Sequence, residues 1–178
     1  SKDDVVQSIV LIKDREVLII LEGQDFYAAP KLSPDNQKIA FLSWNHPNMP
    51  WDECVLSVGD FQQDSVQNIQ TINTQSMEVI SQFDWDGKNH LVFTSDKTGW
   101  SSIYINSKLQ LDLKMDCGYD RWQFGGQNFL VMKPGSLIIA LGPPHNRQLG
   151  HLQGSEFKPF ELPFVEYGPW LAKVDPSH

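Results

Sequence analysis

The apolar residues of this chain come in short runs, four to six residues long, and Gly, Pro, Asn or Asp interrupts them every ten residues or so. Runs of that length, rich in Ile, Val, Leu and Phe and bounded by turn formers, read as β-strands. A helix of ordinary length needs a longer stretch with a 3.6-residue period, and 11 prolines and 12 glycines in 178 residues leave little room for one. Strands are expected over residues 9–12, 17–22, 28–32, 38–43, 54–58, 79–83, 90–94, 102–105, 129–132, 137–141 and 149–153. Residues 67–75 are weakly patterned and read as either strand or loop.

The strands repeat. Leu32-Ser33-Pro34-Asp35-Asn36-Gln37 leads into Lys38-Ile39-Ala40-Phe41-Leu42-Ser43, and Phe83-Asp84-Trp85-Asp86-Gly87-Lys88-Asn89 leads into His90-Leu91-Val92-Phe93-Thr94-Ser95. Aligning Asp35-Asn36 with Asp86-Gly87, residue types that tolerate positive φ in a tight hairpin, gives an offset of 86 − 35 = 51 residues. A third copy runs from Phe129 through Lys133-Pro134-Gly135-Ser136 into Leu137–Leu141. The strand after each turn is apolar without alternation, as it is when sheets cover both its faces. A period near 50 with four short strands per unit predicts an all-β fold, a β-propeller fragment of about three four-stranded antiparallel blades. The expected divisions are a blade end at 1–24, blades at 25–75, 76–121 and 122–165, and a tail at 166–178.

Hydrophobic residues make up 40% and charged residues 20%, a folding composition rather than a disordered one. The formal net charge of −8, with no basic run, argues against nucleic acid and against anionic membrane as partners. The apolar runs near the N-terminus are split by Lys13-Asp14-Arg15-Glu16, well short of the roughly 20 residues a membrane helix needs. Cys54 and Cys117 form no CxxC pair, and with no secretory pattern they fit a reducing, cytoplasmic setting. No cofactor is expected, since Gly125-Gly126 is too little for a phosphate loop. No metal is expected either, because the five histidines never pair at ligand spacing.

More specific residues lie between Asp25 and Phe61. Asp25-Phe26-Tyr27, Ser33-Pro34-Asp35 and the run Ser43-Trp44-Asn45-His46-Pro47-Asn48-Met49-Pro50-Trp51-Asp52 resemble the N-terminal propeller of prolyl oligopeptidase-family serine peptidases, in the dipeptidyl and acylaminoacyl peptidase branch. Ser95-Asp96-Lys97-Thr98-Gly99-Trp100 and Trp122-Gln123-Phe124-Gly125 extend the likeness, which covers the chain from about Val17 to Phe164. Asn36 stands where that family usually has Gly, and Cys54 where it has Thr or Ser; both are local departures.

The resemblance implies a TolB-type propeller segment that gates access of short peptides to an α/β-hydrolase domain. No Gly-x-Ser-x-Gly elbow is present. Gly99-Trp100-Ser101-Ser102-Ile103 lacks the last glycine and sits at a blade turn, so Ser101 is not expected to act as a nucleophile. The chain itself is expected to do no covalent chemistry. Trp51, Trp100 and Arg121 are the candidate substrate contacts, each weighed against a plain surface or core-edge role. His46 is expected to order its loop through a hydrogen bond, His90 to face solvent, and Asp35, Asp52, Asp86 and Asp96 to bond turn backbone. The alternative is a stand-alone binding module. A set of three blades leaves two bare sheet faces of roughly 500 Å² each, about 12 kcal/mol of unburied apolar surface per face, and favours a homodimer.

Overall fold

In the computed structural model residues 5–73, 75–111, 114–117, 125–143, 145–164, 167 and 171–173 are described. Among them there are fourteen strands and no helix. A two-stranded ribbon comes first, β1 (Ile9–Lys13) with β2 (Glu16–Leu21). Three four-stranded sheets follow in chain order. They are β3 (Phe26–Leu32), β4 (Lys38–Trp44), β5 (Val55–Gln62) and β6 (Ser65–Thr71); then β7 (Phe83–Trp85), β8 (Leu91–Ser95), β9 (Ser102–Ile105) and β10 (Lys108–Leu111); then β11 (Phe129–Lys133), β12 (Ser136–Leu141), β13 (Gln148–Gln153) and β14 (Glu156–Pro159). Every strand pairs antiparallel with its neighbour in sequence, so each sheet is a meander. This is the propeller-type all-β fold that the repeat predicts.

The chain divides into two compact units, residues 1–79 and 80–178. In the first, Ile39 to Trp44 of β4 are all buried. Ile9 and Leu21 of the ribbon pack on Phe41, flanked by Tyr27 and Val66. The edge strand β3 carries a bulge between Ala28 and Lys31, where Ala29 has φ 51° and Pro30 follows it. Proline has no N–H for a ladder, so an edge-strand bulge is one of the few strand positions it tolerates.

In the second unit two sheets stack face to face. Val92, Ile103 and Leu111 of one meet Phe129, Leu137, Ile139, Leu141 and Leu152 of the other, with Cys117 among them. Each large apolar side chain buried there is worth about 1.5–3 kcal/mol relative to exposure. Gln82, 4% exposed, joins the same two sheets: its Nε2 donates to the Phe129 carbonyl at 2.8 Å, and its Oε1 accepts the Asn128 N–H at 2.6 Å.

Several local expectations change. The strand expected at 79–83 begins only at Phe83, because the Thr94 hydroxyl accepts the Gln82 N–H at 3.0 Å in place of a ladder carbonyl. The ambiguous stretch 67–75 is strand only as far as Thr71, and that strand starts at Ser65. Strands β10 and β14 complete the four strands expected of each blade but were not placed in the sequence; both are short, and each lies on a sheet edge. The turn alignment shifts as well. The residues with positive φ are Asn36 (58°) and Asn89 (61°), whose N–H groups bond the carbonyls of Ser33 and Asp86. The structural offset is therefore 89 − 36 = 53, and Gly87 does not occupy the left-handed region. Asp86 does alone what two residues share in the first copy. Its Oδ1 accepts the N–H of Lys88 (2.8 Å) and of His90 (2.9 Å). In the first copy Asp35 Oδ1 takes the Gln37 N–H, and Ser33 Oγ takes the Lys38 N–H. The Ser33 hydroxyl also donates to Asp35 and, with the Gln37 amide, holds that carboxyl below its ordinary range.

Candidate functional site

The loop joining the second and third strands of the first sheet, residues 45–54, is built by side-chain bonds to backbone. Phe26 pairs with Trp44 across β3 and β4 and stacks on it, ring centroids 5.3 Å apart. Just beyond this pair, Asn45 Oδ1 accepts the Asp25 N–H at 2.7 Å, and Asp25 Oδ2 accepts the His46 N–H at 2.8 Å. Asp52 Oδ2 takes the Met49 N–H at 2.9 Å, while Asn48 Nδ2 donates to Glu53 Oε2 at 2.6 Å. Asn73, also buried, closes the far side: its Oδ1 accepts the Leu56 N–H and its Nδ2 donates to the Cys54 carbonyl.

His46 orders this loop through a hydrogen bond, as expected, and the donor is its backbone N–H to Asp25. The ring packs edge-on against Phe26 at 4.9 Å. The peptide bond that follows, to Pro47, is cis. With the loop held this way, Met49 (40% exposed) and Trp51 (42% exposed) stand out into solvent.

Beside the loop lies a cleft of about 640 Å³, lined by Val5, Val6, Gln7, Gly23, Gln24, Asp25, Phe26 and His46. Gln7 fixes one wall, since its Oε1 accepts the Tyr27 N–H at 3.1 Å. Sequence reasoning placed Asp25 in the motif and His46 in a loop, and missed that both line a concavity. The signal available was their place in the motif either side of the β3–β4 hairpin.

In the second unit the corresponding loop, between β8 and β9, carries Trp100, 41% exposed. Its Gly99 N–H bonds the Asp96 carbonyl at 2.7 Å, the Thr98 hydroxyl donates to the Trp100 carbonyl at 3.3 Å, and the Ser101 N–H bonds Asp116 Oδ1 at 2.9 Å. The Lys97 ammonium sits 4.0 Å above the Tyr104 ring. Trp51 and Trp100 thus occupy the same kind of loop in successive sheets, second strand to third. Arg121, the third candidate, lies outside the described residues.

The other titratable groups have structural work. His90 is only partly in solvent, and its Nδ1 lies 2.9 Å from Asp86 Oδ2. The Cys117 thiol donates to the Ser101 carbonyl, and burial pushes its pKa up to about 12, the opposite of an activated nucleophile. Ser136 Oγ is 2.7 Å from His151 Nε2, yet Ser136 is buried between β12 and β13, where no substrate reaches it. Among the described residues no three His, Cys, Asp or Glu side chains converge on a metal position. The arrangement offers exposed aromatic faces and a cleft lined by apolar and polar side chains, with Asp25 its one acid.

No family model and no curated protein matches the chain. Solved structures do. A puromycin hydrolase superposes with a TM-score of 0.78 at 23% identity, over 86% of this chain and 24% of that one. A puromycin-hydrolyzing peptidase of Mycobacterium tuberculosis superposes with a TM-score of 0.77 at 25% identity, over 84% of this chain and 24% of that one. The chain therefore spans about a quarter of the length of each. In fold, as in its motifs, it is similar to part of the propeller of prolyl oligopeptidase-family peptidases.

Proposed function

We propose that this chain is a non-catalytic propeller segment associated with a serine-type peptidase of the dipeptidyl or acylaminoacyl kind, and that it works beside an α/β-hydrolase domain outside this sequence. The observation that carries the reading is the match of 86% of the chain to a hydrolase structure of which it spans 24%. In this role the segment admits short, extended peptides and turns folded proteins away by steric exclusion. Trp51 and Trp100 supply sequence-tolerant apolar contacts on loops held rigid by backbone bonds. Arg121 is assigned a peptide-carboxylate contact. Two buried cysteines that form no disulfide suit a cytoplasmic setting.

The test is a titration of the chain with tetrapeptides, followed by tryptophan fluorescence, with chromogenic dipeptides and acyl-amino acids assayed in parallel. The expected result is a saturable fluorescence change, at least halved in a Trp51→Ala, Trp100→Ala double variant, with no turnover. Turnover by the chain alone, or an unchanged response in the double variant, overturns the proposal.

A further inference from the structure

The first strand of the first four-stranded sheet has an open edge. β3 pairs with β4 on one side alone, and stacked sheets cover each other's faces rather than their edges. On the open side the Tyr27 N–H meets no strand. It meets the side-chain amide of Gln7, whose Oε1 accepts it at 3.1 Å. Gln7 is half-buried, and its Nε2 makes no bond among the described residues. Gln82 shows the settled form of such a link. It is 4% exposed and bonds the first strand of the third sheet through both ends of its amide.

The cleft beside Gln7 has two kinds of wall. Val5, Val6 and Phe26 make it apolar on one side, and Asp25 is its one acid. Asp25 Oδ2 holds the His46 N–H at 2.8 Å, while no group among the described residues bonds Oδ1. No lysine or arginine lines the cleft, and the chain carries −8, so the local field favours a cation over an anion. Its volume of about 640 Å³ falls within the roughly 300–1,000 Å³ of small-ligand sites. The bulge between Ala28 and Lys31, with Pro30 inside it, stops strand pairing further along β3. The usable edge therefore suits about two or three residues of a partner strand.

We propose that the open edge of β3 at Tyr27, with the cleft beside it, binds a short extended peptide bearing a positive charge. The peptide lies along β3, and one of its carbonyls takes the Tyr27 N–H that Gln7 holds in the free chain. Its cationic nitrogen, an N-terminal ammonium or a basic side chain, pairs with Asp25. Main-chain bonds to a free edge supply affinity, and the flanking charge supplies selectivity. A side-chain amide has the carbonyl and N–H chemistry of a peptide bond, so Gln7 is the stand-in that the ligand displaces. The inference rests on the reading that this chain meets short peptides, and it adds to that reading a second contact surface and a preference for charge.

The test is an NMR titration of the full isotope-labelled chain, read at the Tyr27 amide, with three C-terminally amidated tetrapeptides. One is acetylated and carries a single lysine, the second has norleucine in place of that lysine, and the third is the norleucine peptide with a free amino terminus. One or both charged peptides are expected to bind at least about threefold more tightly than the neutral one, and the peptide that gains names the source of the charge. Asp25→Asn keeps an oxygen for the His46 N–H and is expected to erase the difference. Gln7→Ala removes the competitor and is expected to tighten binding at least about twofold. Melting curves check that both variants fold. Equal binding of the three peptides, a preference that survives Asp25→Asn, or a Gln7→Ala chain that binds no better overturns the proposal. A tryptophan response that saturates while the Tyr27 amide stays still sinks this site and leaves the peptide reading standing; no binding by either readout sinks both.

Discussion

At Gly150 the outer hairpin of the third sheet closes so tightly that a Cβ would lie 2.5 Å from the Lys158 carbonyl oxygen and 2.7 Å from the Phe157 ring. The carbonyl is backbone and cannot rotate away. Gly150→Ala is therefore expected to destabilise the chain by about 1–3 kcal/mol in urea unfolding. Gly87 is the control. It is exposed, lies outside the left-handed region, and would bring a Cβ no nearer than 4.0 Å to Pro134. Gly87→Ala is expected to be neutral or to stabilise by up to about 1 kcal/mol, by restricting the unfolded chain. Cys117 gives a pH signature. Its folded pKa, near 12, lies above its ordinary value of 9.0, because burial penalises the thiolate. The unfolded thiol loses its proton first. This contribution to stability is thus complete below about pH 9 and falls as pH rises from 9 toward 12, by about 1 kcal/mol per pH unit. Urea unfolding between pH 8 and 10.5 is expected to show a decline that Cys117→Ala reduces. Iodoacetamide at pH 8 is expected to leave the folded thiol unmodified.

At the scale of the elements, the stacking of sheets in the second unit rests on one polar side chain as well as on apolar area. Gln82→Leu keeps the volume but removes the side-chain bonds to the Phe129 carbonyl and to the Asn128 and Phe129 amides, within a buried seam. A loss of about 1–3 kcal/mol in unfolding free energy is expected, and a loss below about 0.5 kcal/mol would assign that seam to apolar packing alone. The elements also mark how far a sequence speaks. Inner strands such as Leu91–Ser95 and Ser136–Leu141 are legible because covered faces demand unbroken apolar runs. Lys108–Leu111 and Glu156–Pro159 are not, because an edge strand draws its hydrogen bonds from one neighbour and keeps polar side chains in water. The turn before Lys108 is also hidden: Asn106-Ser107 adopts two left-handed residues without a glycine to announce them. The misplaced Asp86-Gly87 alignment has the same origin. The pair reads as a hairpin turn, but the carboxylate of Asp86 caps the loop and Asn89 makes the bend. Trp51 and Trp100 were legible as loop residues from their neighbours; the cleft at Asp25 and His46 was not, since it depends on Val6 and Gln7, 20 and 19 residues before Phe26 in sequence.

For the whole molecule, the described residues supply sheets, rigid loops and a cleft, and they give no serine the surroundings of a nucleophile. On the reading proposed above, the chain acts by contact and exclusion. The most direct measurement is an NMR titration of the isotope-labelled chain with a tetrapeptide, recording amide shifts and the intact peptide in the same tube. The account predicts shifts concentrated in residues 45–54 and 96–101, saturating with concentration, while the peptide remains whole. Cleavage of the peptide, or shifts confined to the sheet strands with both loops silent, would contradict it.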